Sequence, residues 1–401
     1  MRCPPTIGSW FGAKARFYNE VRVGINGTFT WHTKIEEINR DTWNALAEPL
    51  ATPFLEWDWL AALERTGCVH PDHGWQPCHL SLTHGKRLLA AAALYIKGHS
   101  WGEFVFDQQW AQASHSLGQS YYPKMVGMSP FTPALGYRFL VDPELDEHSV
   151  CHAMMNVIDR FCQEQGIMGC HFLHADGNWC KTMEGLGFKP WLHHSLIWEN
   201  RGFADFSGYL DSFKSKQRKN IRRERRLAQE HLTFRVWPGE EAPEDFFSTI
   251  YDFYESTCHK FRGWSHYLNR PFFKELGEHF AHRVLFGTAY EEQDGELPVA
   301  MSFLIRKGDR LYGRYWGNRA NYDQLHFETC YYQAIEWAID NGLGFFDAGS
   351  GSARHKKRRG FPATPNYSLH RHYNPLMTQI WDTNIDAINR QEAGTIALIN
   401  G

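Results

Sequence analysis

In the run His326 to Ile339, the apolar residues Phe327, Tyr331, Ala334, Ile335 and Ala338 recur at i, i+4, i+7, i+8 and i+11. That period lays one apolar stripe along an α-helix, and Asn341-Gly342 supplies its stop. The run before it, Leu311 to Gly317, is rich in aromatics and closed by glycine, which predicts a strand. After it, Phe345-Phe346-Asp347 predicts a second short strand. This strand leads into Gly349-Ser350-Gly351-Ser352 and the basic cluster Arg354 to Arg359, ending Gly360-Phe361. Strand, helix and strand together predict a βαβ unit with a polar, basic mouth.

The first half of the chain carries the same order. A helix starts near Asp142-Pro143 with Val150, Met154, Val157, Ile158 and Phe161 on one face, and Gly166 ends it. Ile167 to Leu173 follows as a strand, then a short helix from Asn178 to Leu186 that closes on Gly187-Phe188, the counterpart of Gly360-Phe361. Earlier, Trp31 to Ile38, Pro77 to Leu82 and Arg87 to Lys97 read as strands, and Phe54 to Arg65 as a helix. In the second half, helices from Asp245 to His259 and Pro271 to His282 precede strands Val284 to Glu291 and Pro298 to Arg306. The expected organisation is an N-terminal extension (1–30), two related domains (31–205 and 206–376) and a weakly patterned tail (377–401).

Composition narrows the class. The 401 residues suit two or three domains, and 43% apolar with 22% charged residues is ordinary for a soluble globular chain. A net charge of -3 gives no global attraction to nucleic acid or an anionic membrane, so any anion site is local. The nine cysteines are scattered without a C-x-x-C, which predicts reduced thiols in a cytoplasmic protein. No apolar run is long enough to span a bilayer. His193-His194 and His370-x-His372 lack acidic or thiol partners at ligand spacing, so no metal is expected. Lys214 to Arg226 sets eight bases against one acid. Those bases are spaced around most of a helix, so they do not all make one binding stripe; the segment suits a linker helix or a phosphate-contacting helix.

Several runs carry a resemblance. Phe54-Leu55-Glu56-Trp57, His99 to Asp107, Tyr121-Tyr122-Pro123-Lys124 and Pro130-Phe131-Thr132-Pro133 are similar to a family of predicted N-acyltransferases. So are Leu311 to Gly317, His326 to Gln333, and His355-Lys356 with Arg359-Gly360-Phe361. The family is grouped with the GNAT acyltransferases and the Fem-type transferases of peptidoglycan cross-bridges. The resemblance implies an α/β (α+β) fold of two tandem GNAT-like domains. It also implies transfer of an acyl group from an activated thioester or ester to an amine, a peptide side chain among the acceptors. One departure stands out: Ser350-Gly351-Ser352-Ala353-Arg354 replaces the family's Gly-Ala-Gln-Gly-Glu, putting a cation where a carboxylate precedes His355.

Acyl transfer to an amine needs a deprotonated nucleophile, a polarised carbonyl and a held donor. A GNAT fold meets these needs by splaying two central strands. Acids (Asp142, Glu144, Asp146, Glu147) precede the first half's helix, whereas Asn318, Arg319 and Asn321 precede the second's. Donor binding, of acyl-CoA or an acyl carrier protein as co-substrate, is therefore expected in the second half, with Arg314, Arg319, Lys356 and Arg359 as anion contacts. Candidate catalytic groups are Glu328 and His326, with His99 and Glu103 from the first half. Asp107, Tyr121, Tyr122, Lys124 and Trp316 are candidate substrate contacts. A Fem-type use of aminoacyl-tRNA is the alternative, disfavoured because no long helical hairpin is visible. A non-catalytic binding protein is the other. DNA is not an expected partner.

Overall fold

The computed structural model describes residues 18–19, 26–260, 266–291, 297–349, 351 and 353–401. Most of the expected N-terminal extension, and Ser350 and Ser352, lie outside the described residues. The chain divides into two units, one of residues 1–194 and 365–395, the other of 195–364 and 396–401.

The first unit holds two sheets. Strands Tyr18–Asn19, Thr28–His32, His79–His84, Arg87–Ala92 and Leu140–Val141 form one, antiparallel throughout. Trp75–Pro77, Leu94–Lys97 and Lys124–Gly127 form an antiparallel run in the other. There Lys124–Gly127 lies parallel to Gly169–Ala175, which pairs antiparallel with Ala363–His372. The single strand expected from Arg87 to Lys97 is thus two strands broken at Ala93, each in a different sheet. Helix Glu147–Glu164 makes the parallel crossover and buries the predicted stripe, Val150, Met154, Val157, Ile158 and Phe161. The Asp146 side chain caps it by accepting from Ser149 N, and Gly166 leaves it at φ +66°.

The second unit repeats this order. Leu232–Pro238, Val284–Glu291, Ala300–Lys307 and Arg310–Asn318 form an antiparallel meander. The chain then crosses through a helical stretch, Leu325 to Asp340, to Phe345–Asp347, parallel to Arg310–Asn318. Residues 197–199 of the strand Lys189–Glu199 close the sheet antiparallel to Phe345–Asp347. Neighbours along a strand face opposite sides: Leu285, Leu304, Leu311 and Phe346 pack with Tyr332, Ile335 and Ala338. Phe286 and Phe303 meet Phe247 and Phe273 of the helices Phe246–Lys260 and Arg270–His279.

The expected weakly patterned tail is instead a long helix, Pro375–Asn400. It buries Met377, Trp381 and Ile385, one residue per turn, a stripe too narrow to stand out against its polar neighbours. Among the described residues no disulfide forms, and no helix is long and apolar enough to cross a membrane.

Candidate active site

In the second unit two neighbouring parallel strands part. Arg310, Leu311 and Tyr312 pair with Phe345, Phe346 and Asp347; there the pairing ends, while the first strand continues to Asn318. The antiparallel register on its other side slips between Phe303 and Leu304, leaving Arg314 as the extra residue of a bulge. A bulge re-aims the side chains around it. Beyond Asp347 the chain turns at Gly349 (φ +70°), where a Cβ would lie 2.8 Å from Gly313 O. Only glycine fits both the left-handed backbone and that approach.

Asp347 sits at the point of parting, 6% exposed. Its Oδ1 accepts from Gly349 N at 2.8 Å, while Oδ2 is buried without a hydrogen-bond partner among the described residues. Burial raises its pKa against the pull of the Gly349 N–H and of Lys356, Arg314 and Arg310. Lys356 is buried and donates to Gly349 O; burial, only partly offset by Asp347, brings it down to about 8. A carboxylate and an ammonium whose pKa values move toward each other across neutrality are suited to proton transfer.

The helix beside the splay opens with a π-turn, Glu328–Tyr332, a distortion frequent at functional sites. His326 lies over Trp316 with ring centroids 4.3 Å apart and meets Tyr331 edge-on. Burial, then the cations Arg359 and Lys356 with His355, lower it to about 4. It is therefore a neutral imidazole at pH 7, and at that pKa a poor base for an ammonium.

Glu328 does not offer the free carboxylate expected of a base. It is fully buried and accepts from Arg225 Nε at 3.0 and 3.2 Å, from Gln229 at 2.9 Å and from Gln333 at 2.8 Å. Two of the expected anion contacts are also occupied. Arg359 is 2% exposed, bonded to Glu224 at 2.6 Å and stacked 3.4 Å over Phe327. Arg319 pairs with Asp252 at 3.6 Å and covers Phe253. Both guanidinium groups have acidic partners. Of the anticipated cations, Arg314 on the bulge and Lys356 against Gly349 O lie at the splay.

The first-unit candidates form a closed ion cluster. Lys124 Nζ donates to Glu103 at 2.7 Å, Asp107 at 2.6 Å and Ser100 at 2.8 Å, and Tyr121 donates to Asp107 at 3.0 Å. Burial alone would lower Lys124, but the two carboxylates outweigh it and raise its pKa. Burial likewise raises Glu103, whereas for Asp107 the Lys124 charge and its hydrogen bonds reverse that and leave it lowered. With Lys124, Glu103 and Asp107 each no more than 1% exposed, this is a structural network and not a substrate surface. His99 is no base either: Trp101 N donates to its Nδ1 at 3.2 Å, so Nε2 carries the proton and donates to His73 O at 3.1 Å. Tyr122, half-buried, shares a hydrogen bond with Ser100.

Sequence reasoning passed over Asp347. The signal was present, a carboxylate closing a short strand before a glycine turn, but nothing in the pattern shows that strand pairing stops there.

Comparisons with known proteins agree with this architecture. Residues 34–400 match the FemAB-like family of peptidoglycan biosynthesis and recognition. Among solved structures, FemX superposes with a TM-score of 0.54 at 11% identity, covering 86% of this chain and 98% of that one. The C-terminal domain of a putative lysylphosphatidylglycerol synthetase from Agrobacterium fabrum gives 0.51 at 11% identity, covering 86% and 95%. L-PGS from Bacillus licheniformis gives 0.51 at 11%, covering 86% and 96%. No curated protein sequence matches the chain. With the family matched over nearly its whole length, the chain belongs to the FemAB-like family and shares the fold of FemX, its strand order repeated in both halves.

Proposed function

We propose that the second unit transfers an acyl group from a thioester donor, carried on coenzyme A or a carrier protein, to an amine, a peptide side chain among the candidates. The observation that carries this reading is the parting of Arg310–Asn318 from Phe345–Asp347, with Asp347 buried at the vertex and its Oδ2 without a hydrogen-bond partner among the described residues. In this reading the donor enters the opening, and Arg314 and Lys356 meet its negative charge. Asp347 takes the proton as the amine attacks the carbonyl: the C–N bond forms, the C–S bond breaks, and the thiolate leaves, with Lys356 placed to protonate it. His326 and Trp316 offer an apolar, neutral wall that keeps water from the thioester.

A second reading, with an aminoacyl ester of tRNA as donor, is favoured by membership of the FemAB-like family and by the FemX fold. Mass spectrometry of amine acceptors incubated with acyl thioesters or with charged tRNA separates the two. An acyl mass added from thioesters supports the first reading; transfer from charged tRNA alone replaces it with the second. No transfer from either donor sinks both.

A further inference from the structure

The helix Ser215–Gln229 is two-sided. Inward, Arg225 binds Glu328 and Glu336, and Glu224 binds Arg359 and Tyr332; on the surface Arg218 binds Asp211. With those three ionised side chains committed, the remaining bases are not spread around the helix. Lys216, Lys219, Arg222, Arg223 and Arg226 are all exposed, and none forms an ion pair among the described residues. At about 100° per residue they fall within roughly a third of the helix circumference. They make a straight row about 15 Å long at 1.5 Å rise per residue. Off the row, Gln217 donates to Arg358 O at 2.9 Å, and Lys357 and Arg358 are exposed. As expected, the bases do not all share one stripe: Arg218 and Arg225 stand off it in ion pairs, and the other five helical bases make the row.

Like charges at i, i+3 and i+7 destabilise an isolated helix, so a row of five without acids is costly unless something neutralises it. A chain with a net charge of -3 has no general excess of cations to distribute. We propose that this row docks an acidic α-helix of a carrier protein that delivers the thioester, an inference that rests on the acyl-transfer reading above. Three features select that occupant. The cations rise at helical pitch along a straight line, which matches carboxylates at i, i+3 and i+7 on a second helix. No aromatic side chain stands in the row to stack a nucleic-acid base. Nor does it contain an apolar edge that would enter a membrane interface. The inner face of the same helix fixes Glu328 and Arg359, so a carrier seated on the row lies one helix diameter, about 10 Å, from residues that order the site.

The test is binding, measured on the full chain with no transfer required. An acyl carrier protein without acyl group, bulk tRNA and phosphatidylglycerol vesicles are titrated separately by fluorescence anisotropy or co-sedimentation. The expected result is carrier-protein binding that weakens with salt. It should fall at least roughly tenfold in the Lys219→Glu/Arg223→Glu double variant and return in Lys219→Arg/Arg223→Lys, with melting temperature held. Absence of carrier binding, or binding indifferent to the double variant, overturns the proposal. So does charge-sensitive binding of tRNA or vesicles without the carrier. A carrier that binds while no acyl group moves would fault the acyl-transfer reading instead. Transfer from acyl-CoA without carrier binding would fault only the docking inference.

Discussion

In the first unit, the parallel strands Lys124–Gly127 and Gly169–Ala175 part beside Tyr137. Its ring stacks on Phe172 at 5.9 Å and its hydroxyl donates to Ala93 O at 2.9 Å. A Cβ on Gly127 would lie 2.3 Å from that hydroxyl. In the second unit, Arg310–Asn318 and Phe345–Asp347 part beside Gly313 and Gly349, and Arg314, Tyr315 and Trp316 stay partly exposed. One topology therefore encloses two interiors, a wedge filled by Tyr137 and a parting of strands where the buried Asp347 carboxylate feels the charges of Lys356, Arg314 and Arg310. The contrast shows that buried charge by itself does not mark a site. Lys124 with Glu103 and Asp107 is the more charged cluster, yet there each carboxylate binds an ammonium directly, whereas the Asp347 Oδ1 accepts from a backbone N–H, that of Gly349.

The largest expected effect falls on the filled unit. Lys124→Met strands two buried carboxylates and should cost about 3–5 kcal/mol, read by urea unfolding or as loss of soluble protein. A cost below about 1 kcal/mol would mean that the cluster opens to solvent and that the distinction between the units is misplaced.

Next comes the opening. Asp347→Asn should slow transfer by roughly 10²-fold or more, about 2.7 kcal/mol of barrier, with the fold retained. Glu328→Gln should act mainly on stability, since its oxygens are committed to Arg225, Gln229 and Gln333. If the Glu328 variant lost the rate and the Asp347 variant kept it, the assignment of the base would be reversed.

The two aspartates also predict opposite pH behaviour. Asp107 is held below its ordinary pKa, so its contribution to stability is present above the unfolded value and is lost as pH falls through the folded one. Asp347 is held above its ordinary pKa, so its contribution is present at acid pH and is lost as pH rises through the folded value. The penalty of Asp107→Asn should therefore grow as pH rises from 3 to 7, whereas Asp347→Asn should gain stability relative to the parent over the same range. Denaturation of both variants across about pH 3–7 gives the two slopes. Parallel slopes would show that the carboxylates share one environment.

Much of this contrast was not legible in the chain. Periodicity located the crossover helices and the repeat, because one buried stripe per helix is a local property; Val150 to Phe161 and Phe327 to Ala338 are where the pattern places them. Glu328 and His326 stood out as carboxylate and imidazole among aromatics. What decides their chemistry, however, is Arg225, a hundred residues earlier in sequence, for one and a ring of cations for the other. Ion pairs at that separation have no sequence period. The break at Ala93 is equally silent, since Ala90 to Ala93 reads as one apolar run whichever sheet each residue joins.

The smallest effect gives the finest test. Tyr137→Phe removes one buried hydrogen bond, to Ala93 O, and should cost about 1 kcal/mol, because the ring that fills the wedge against Phe172 and Trp179 stays in place. If the first unit is a scaffold, transfer by this variant should match the parent once both are folded, with the loss confined to the melting temperature. Suppose instead that transfer dropped roughly tenfold at unchanged KM: a group that stabilises only the ground-state fold does not do that. The parting beside Gly127 would then have to communicate with the reacting atoms, and a filled wedge could no longer be read as an idle copy of the open one.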